Sequence, residues 1–269
     1  MNIVCFGAHP DDAEVYAGGT LVKWAQAGHS VLLVSLTNGD SGHHAMERDD
    51  LAQCRKEEAA ESARRGGVRD LVLDFHDGEL FPTLELRNEI IRIIREEKAD
   101  IVLTHRPWDY HPDHRYGAMA VQDAAYMVMV PHACPGVTAL RTNPVFFYMM
   151  DHFQKPTPFQ ADIAVDVTDV MPTKLAMLDA MPSQFYEWLP WIEGHLDAVP
   201  QDAEARKAWL GVQWDRLFQD WSNVYRDGLI RWYGDAATDI RYVEAFELCE
   251  YGRQPDAEEM KELFPFLPQ

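Results

Sequence analysis

Two short clusters hold the residues best suited to chemistry. The first is His9-Pro10-Asp11-Asp12, followed by Ala13-Glu14, and the second is His111-Pro112-Asp113-His114. Each follows a short apolar, β-branched run, residues 3–6 and 101–104, and each precedes a stretch with helical periodicity. Zinc accepts two imidazoles and a carboxylate and keeps a fourth position for water, which ionises near neutral pH and becomes a nucleophile. On this reading His9, Asp12 and His114 are the metal ligands. Asp11 lies beside a ligand without being needed as one, so it is the candidate general base. His111 is placed to act as an imidazolium on an oxyanion and a leaving amine, with Asp113 raising its pKa and fixing its orientation. Either cluster alone reads equally well as a helix N-terminus with a capping aspartate. Two such clusters, each at a strand end, favour a shared centre.

The elements that must carry these clusters alternate. Strands are expected at residues 2–8, 30–36, 71–75 and 99–105, with helices at 14–26, 48–65, 83–97 and 114–130. This pattern predicts an α/β fold, a Rossmann-like parallel sheet with helices on both faces. In the strand order 3-2-1-4-5 the crevice at the switch point is bounded by the loops after strands one and four. Those loops carry the two clusters. Further strands are expected at 143–150, 161–167 and 242–249, a helix at 173–180, and an acidic tail at the end. Six of the eight tryptophans fall in one stretch (Trp188, Trp191, Trp209, Trp214, Trp221, Trp232). This predicts a helical, Trp-rich C-terminal lobe at about 184–235, forming a core or an oligomer contact and less readily a sugar-stacking face. The expectation is a single domain over 1–269, with its Rossmann-like core at 1–140.

Composition narrows the function. A formal charge of −20 opposes nucleic acid and anionic membrane as partners. No apolar stretch is long enough for a membrane span, and the start lacks the pattern of a secretory signal, so a cytoplasmic protein is expected. The four cysteines are scattered, which argues against a disulfide framework or a cysteine zinc knuckle. No G-x-S-x-G turn surrounds Ser35 or Ser183, and no dinucleotide-binding glycine pattern follows the first strand. Of the remaining histidines, His43 and His44 lie in a Gly-rich loop and are candidate substrate contacts, although a solvated pair is the simpler reading. His76, His105, His132, His152 and His195 read as surface or structural histidines.

The chain resembles the PIG-L/LmbE-like zinc-dependent de-N-acetylases. The matching stretches are residues 8–20, 36–39, Arg55-Lys56-Glu57-Glu58-Ala59, 111–114, Asp166-Val167-Thr168, Ser183-Gln184 and Tyr242-Val243-Glu244 through Phe246. The resemblance implies one Zn2+ on His9, Asp12 and His114, Asp11 as base, and His111 as electrophilic or acid partner held by Asp113. It also implies removal of acetyl groups from N-acetylglucosamine-type conjugates, and homo-oligomers in several members. Arg55, within a matching stretch, is a candidate substrate contact. Met181-Pro182 and the long Trp-rich segment depart from the pattern where substrate would be selected. Two alternatives remain on the same residues: a metal-dependent hydratase of an unsaturated dicarboxylic acid, and a non-catalytic metal-dependent sugar-binding module.

Overall fold

The computed structural model describes residues 1–268. Seven strands form one sheet: β1 (Asn2–Gly7), β2 (Ser30–Thr37), β3 (Arg69–Phe75), β4 (Ile101–Thr104), β5 (Val145–Met149), β6 (Ile163–Asp166) and β7 (Val243–Gly252). Their order is β3-β2-β1-β4-β5-β7-β6. The first five run parallel, and β7 lies antiparallel between β5 and β6. The switch point between β1 and β4 is therefore where the alternation of elements put it.

Both sheet faces are buried, and the period of two along each strand divides their side chains. Ile3 and Cys5 of β1 pack with α1 (Asp12–Gln26) and α2 (Arg48–Gly66), whereas Val4 and Phe6 pack with α3 (Leu84–Glu97) and α4 (Pro112–Met127). α3 has its apolar residues at helical spacing, and the Thr83 side chain accepts from Leu86 N–H at its start. The later helices are α5 (Met171–Asp179), α6 (Leu189–Ile192), α7 (Ala203–Val224), α8 (Arg226–Tyr233) and α9 (Ala257–Leu263). Trp209, Trp214, Trp221 and Trp232 pack partly buried against the α1 side of the sheet and extend its core. The acidic tail is not loose. Its α9 is followed by Phe264, which is fully buried beside Trp24, and Trp24 Nε1 donates to Leu263 O at 2.8 Å. Apolar residues among the tail's charges were the overlooked signal.

One buried ion pair holds α1 to the far end of the sheet. Lys174 Nζ lies 2.6 Å from Glu244 Oε1 and donates to Val15 O at 2.7 Å. Glu244 in turn accepts from Gly19 N–H at 2.8 Å and Thr20 N–H at 2.6 Å. Val15 C=O and Gly19 N–H are groups that a regular helix would bond to each other, so the pair inserts itself into the middle of α1. Gly19 is needed there, because a Cβ would come within 2.7 Å of Val167. Removing one partner leaves a buried charge and freed backbone groups, so Glu244→Ala should destabilise the fold by about 3–5 kcal/mol in urea unfolding. An unchanged unfolding midpoint would show that the pair is dispensable.

Among the described residues, no helix is long and apolar enough to cross a membrane, and the four cysteines are free.

Candidate metal centre

The β1–α1 turn is tight. Asp11 N–H and Asp12 N–H both donate to His9 O, and the Asp12 carboxylate accepts from His9 N–H at 2.7 Å. The close approach requires Gly7, where a Cβ would meet Asp12 Cβ at 2.7 Å. Asp11 stands at the N-terminus of α1 but caps nothing; its Oδ2 accepts from Gln184 Nε2 at 2.6 Å. The capping alternative thus fails for the first cluster. It holds in part for the second, because His111 Nδ1 accepts from Asp113 N–H at 3.2 Å at the start of α4.

Asp12 joins the clusters. Its carboxylate lies 3.4 Å from His9 Nδ1 and 3.3 Å from His114 Nε2. The other ring nitrogens are held by carboxylates as well. His9 Nε2 is 3.2 Å from both Asp77 and Asp113, and His114 Nδ1 is 2.9 Å from Asp109. Carboxylates behind ligand imidazoles fix tautomer and orientation. Ligand atoms of His9, His111 and His114 converge, and so do those of Asp12, His105 and His114.

Two expectations need correction. The Asp113 carboxylate does not reach His111. It accepts from Gly78 N–H at 2.7 Å and Leu80 N–H at 3.2 Å and pairs with His9. Its place at the second turn position of α4 turns it toward the β3–α3 loop. An Nδ1 that accepts a backbone N–H favours the neutral His111 imidazole with its proton on Nε2. Second, His43 and His44 do not line the cleft. His43 Nε2 pairs with Glu187 at 2.9 Å, and its Nδ1 accepts from Ala45 and Met46 N–H. His44 is stacked between His43 and Trp191. Arg55 is where the sequence suggested: it is buried, lines the cleft and donates to Gly42 O at 3.0 Å.

Sequence reasoning missed Asp77, Asp109 and the role of His105. The Asp109 carboxylate accepts from His111 N–H at 2.8 Å besides holding His114, and its nearness to the second cluster was the available signal. His105 is stacked on His114 with ring centroids 4.0 Å apart. Its Nε2 comes within 3.1 Å of Asp12 Oδ2 but is off hydrogen-bond alignment, and this buried atom has no partner among the described residues. His152, read as structural, lines the cleft mouth.

The electrostatics follow from crowding. Burial and the neighbouring Asp12 charge push Asp11 up to about 6, against the pull of His9, Arg55 and Gln184. Burial acts against ionisation of Asp12, but His114 and His105 hold it well below the usual carboxylate range. Burial lowers His114, yet Asp12 and Asp109 together bring it up to about 9. Burial, then the charges of His9 and His114, push His111 down. Five carboxylates thus draw positive charge to one point, and an imidazole that bound a cation there would give up its proton to do so. The donor set, the carboxylates behind it and the orphaned His105 nitrogen all fit a divalent cation.

The cluster opens into a cleft of 570 Å³. A larger groove of 820 Å³, at Leu73, Phe75 and Arg92, holds none of the converging residues.

The sheet and cluster define an α/β protein with a histidine–carboxylate centre at its switch point. The family profile described as GlcNAc-PI de-N-acetylase (PIG-L) matches residues 4–125. The diacetylchitobiose deacetylase of Thermococcus kodakarensis is 35% identical over 203 residues, spanning 71% of this chain and 73% of that one. The structure of N,N'-diacetylchitobiose deacetylase from Pyrococcus horikoshii superposes with a TM-score of 0.72 at 25% identity, covering 92% of this chain and 83% of that one. A 4-oxalmesaconate hydratase of Pseudomonas putida is 24% identical over 189 residues, 67% of this chain and 73% of that one. The chain belongs to the PIG-L family of de-N-acetylase-like enzymes.

Proposed function

We propose that the protein is a metal-dependent hydrolase that releases acetate from an N-acetylated amino sugar or sugar conjugate. The observation that carries this reading is the pair of half-buried imidazoles, His9 and His114, each facing Asp12 with one nitrogen and a carboxylate with the other. His9, Asp12 and His114 would hold the cation, zinc by donor type, and His105 is a further donor within reach. When bound, such an ion supplies Lewis acidity and a water nucleophile at neutral pH.

The chain's own groups supply the rest. Asp11 is buried and lines the cleft, and burial beside Asp12 pushes its pKa up to about 6, which suits it to take a proton from water. The same Asp11 oxygen then returns that proton to the leaving nitrogen as the C–N bond breaks. His111, neutral and with its Nε2–H free, donates a hydrogen bond to the developing oxyanion. Arg55 steadies the Asp11 carboxylate and is available to a substrate hydroxyl. The named relatives support the substrate class, since two of those described above are deacetylases of an N-acetylated disaccharide.

The test is release of acetate from N-acetylglucosamine and its glycosides by protein stripped with a chelator and reloaded with zinc. Activity should follow the metal at about one ion per chain, and His114→Ala should lose both. Asp109→Ala should weaken metal binding roughly 10–100-fold, as expected for the carboxylate behind a ligand imidazole. Full metal content in His114→Ala would remove the ligand assignment. Hydration of an unsaturated dicarboxylate with no acetate release would favour the hydratase alternative, which the Pseudomonas putida relative keeps in view.

A further inference from the structure

The cleft has two chemically different linings. Its polar residues, among them Asp11, Ser41, Arg55 and Asp77, come from the β1, β2 and β3 loops and from α2. The C-terminal half contributes mainly apolar residues, Trp188, Leu189, Trp214, Leu217 and Trp221, beside the polar His152 and Gln184. The apolar lining reaches the metal centre without a break, because Trp221 stacks on Tyr16 at 5.7 Å and Tyr16 meets His105 and His114 edge-on.

A tryptophan that binds a sugar needs an open indole face with polar groups at its rim. Trp188 and Trp221 each have one face covered by a neighbouring ring. Trp188 stacks on Trp191 at 5.4 Å, Trp191 stacks on His44 at 5.2 Å, and Trp221 lies against Tyr16. Trp214 stands edge-on to Phe185 at 5.1 Å. Beside the Leu189 and Leu217 methyls these rings give the cleft a mainly hydrocarbon wall, and of the polar residues beside it Gln184 is already bonded to Asp11. A cleft of 570 Å³ falls in the range that encloses drug-sized ligands.

We infer that the Trp188–Trp214–Trp221 wall binds an apolar, preferably aromatic, group attached to the N-acetylated sugar, in preference to the second ring of a disaccharide. This rests on the N-deacetylase reading, and it departs from the disaccharide named for the two relatives. The π-helical turn at Ser183–Trp188 contributes directly, since it carries both Gln184 on Asp11 and Trp188 on the wall.

The test compares three substrates of the zinc-loaded protein: methyl and phenyl β-glycosides of N-acetylglucosamine, and N,N'-diacetylchitobiose. kcat/KM for the phenyl glycoside should exceed both others by about tenfold, the scale of one added apolar contact. Leu217→Gln, a change that leaves no cavity, should bring the phenyl-to-methyl ratio toward one, and Trp188→Ala should do the same. In parallel, binding of methyl and phenyl β-glucosaminide, the amine products, is read from tryptophan fluorescence. That arm needs no turnover, so failure of every N-acetyl substrate would count against the N-deacetylase reading while the wall is still judged by binding. A preference for the disaccharide, a phenyl amine bound no tighter than the methyl one, or a ratio untouched in both variants would overturn the inference.

Discussion

Asp11→Asn should retain its metal and lose roughly 10²–10⁴ in turnover, the usual worth of a general base. The substitution keeps the size of the side chain, and its amide oxygen can still accept from Gln184 Nε2, which now sits 2.6 Å from Asp11 Oδ2. What it loses is the ability to take a proton from water and to return it to the amine. Glu14, the next carboxylate along the chain, cannot take over. It is buried behind the site, bonded to Ser62 Oγ at 3.0 Å, and does not line the cleft. Burial pushes Glu14 up to about 7, but a suitable pKa without access to the reacting water is of no use. Metal content and steady-state rates measured on the same preparation decide the matter. Turnover within a few-fold of the parent would move the base elsewhere.

His111→Ala should also keep metal and lose mainly kcat, and the replacement His111→Gln separates two accounts of why. If the imidazole acts as an imidazolium acid, glutamine restores nothing. The structure favours a neutral donor, since Nδ1 already accepts Asp113 N–H and burial beside His9 and His114 disfavours a further charge. Glutamine carries an N–H near the position of Nε2, so it should recover part of the roughly 10²–10³ that losing one oxyanion donor costs. Asp113→Ala should not reproduce the His111 defect in milder form. Its carboxylate holds His9 and the Gly78 and Leu80 amides, so the loss should appear in metal affinity and stability, with kcat little changed at saturating metal. Parent-level acetate release by His111→Ala would reopen the hydratase and binding-module alternatives.

The sheet was legible in the sequence because its strands are short β-branched runs and its helices have clear apolar periodicity. β1 divides Ile3 and Cys5 from Val4 and Phe6 by simple alternation, and two such faces require helices on both sides. The candidate ligands were legible for a related reason. His9 and Asp12 share one turn and His114 opens one helix, so local geometry nearly places them.

Side chains that meet across loops were not legible. Asp77 and Asp109 look like ordinary loop acids until the β3 and β4 loops turn toward His9 and His114. His43 and His44 stand in a plausible loop for substrate contact, yet Glu187 and Trp191, far along the chain, draw them into a stack outside the cleft. Trp214, Phe218 and Trp221 share a helical face in the sequence. Only the packing of α7 against β7 and α5 divides their tasks, with Phe218 buried in the core and the two tryptophans edging the cleft. By itself, then, the sequence determined the alternating strands and helices, the switch point and the candidate ligands His9, Asp12 and His114, because strand alternation, helix period and tight turns act over a few neighbouring residues. The tertiary structure alone decided which carboxylate stands behind which imidazole and what the cleft presents to substrate. Those contacts join residues with no fixed separation along the chain, and only the packing of whole elements sets their distance.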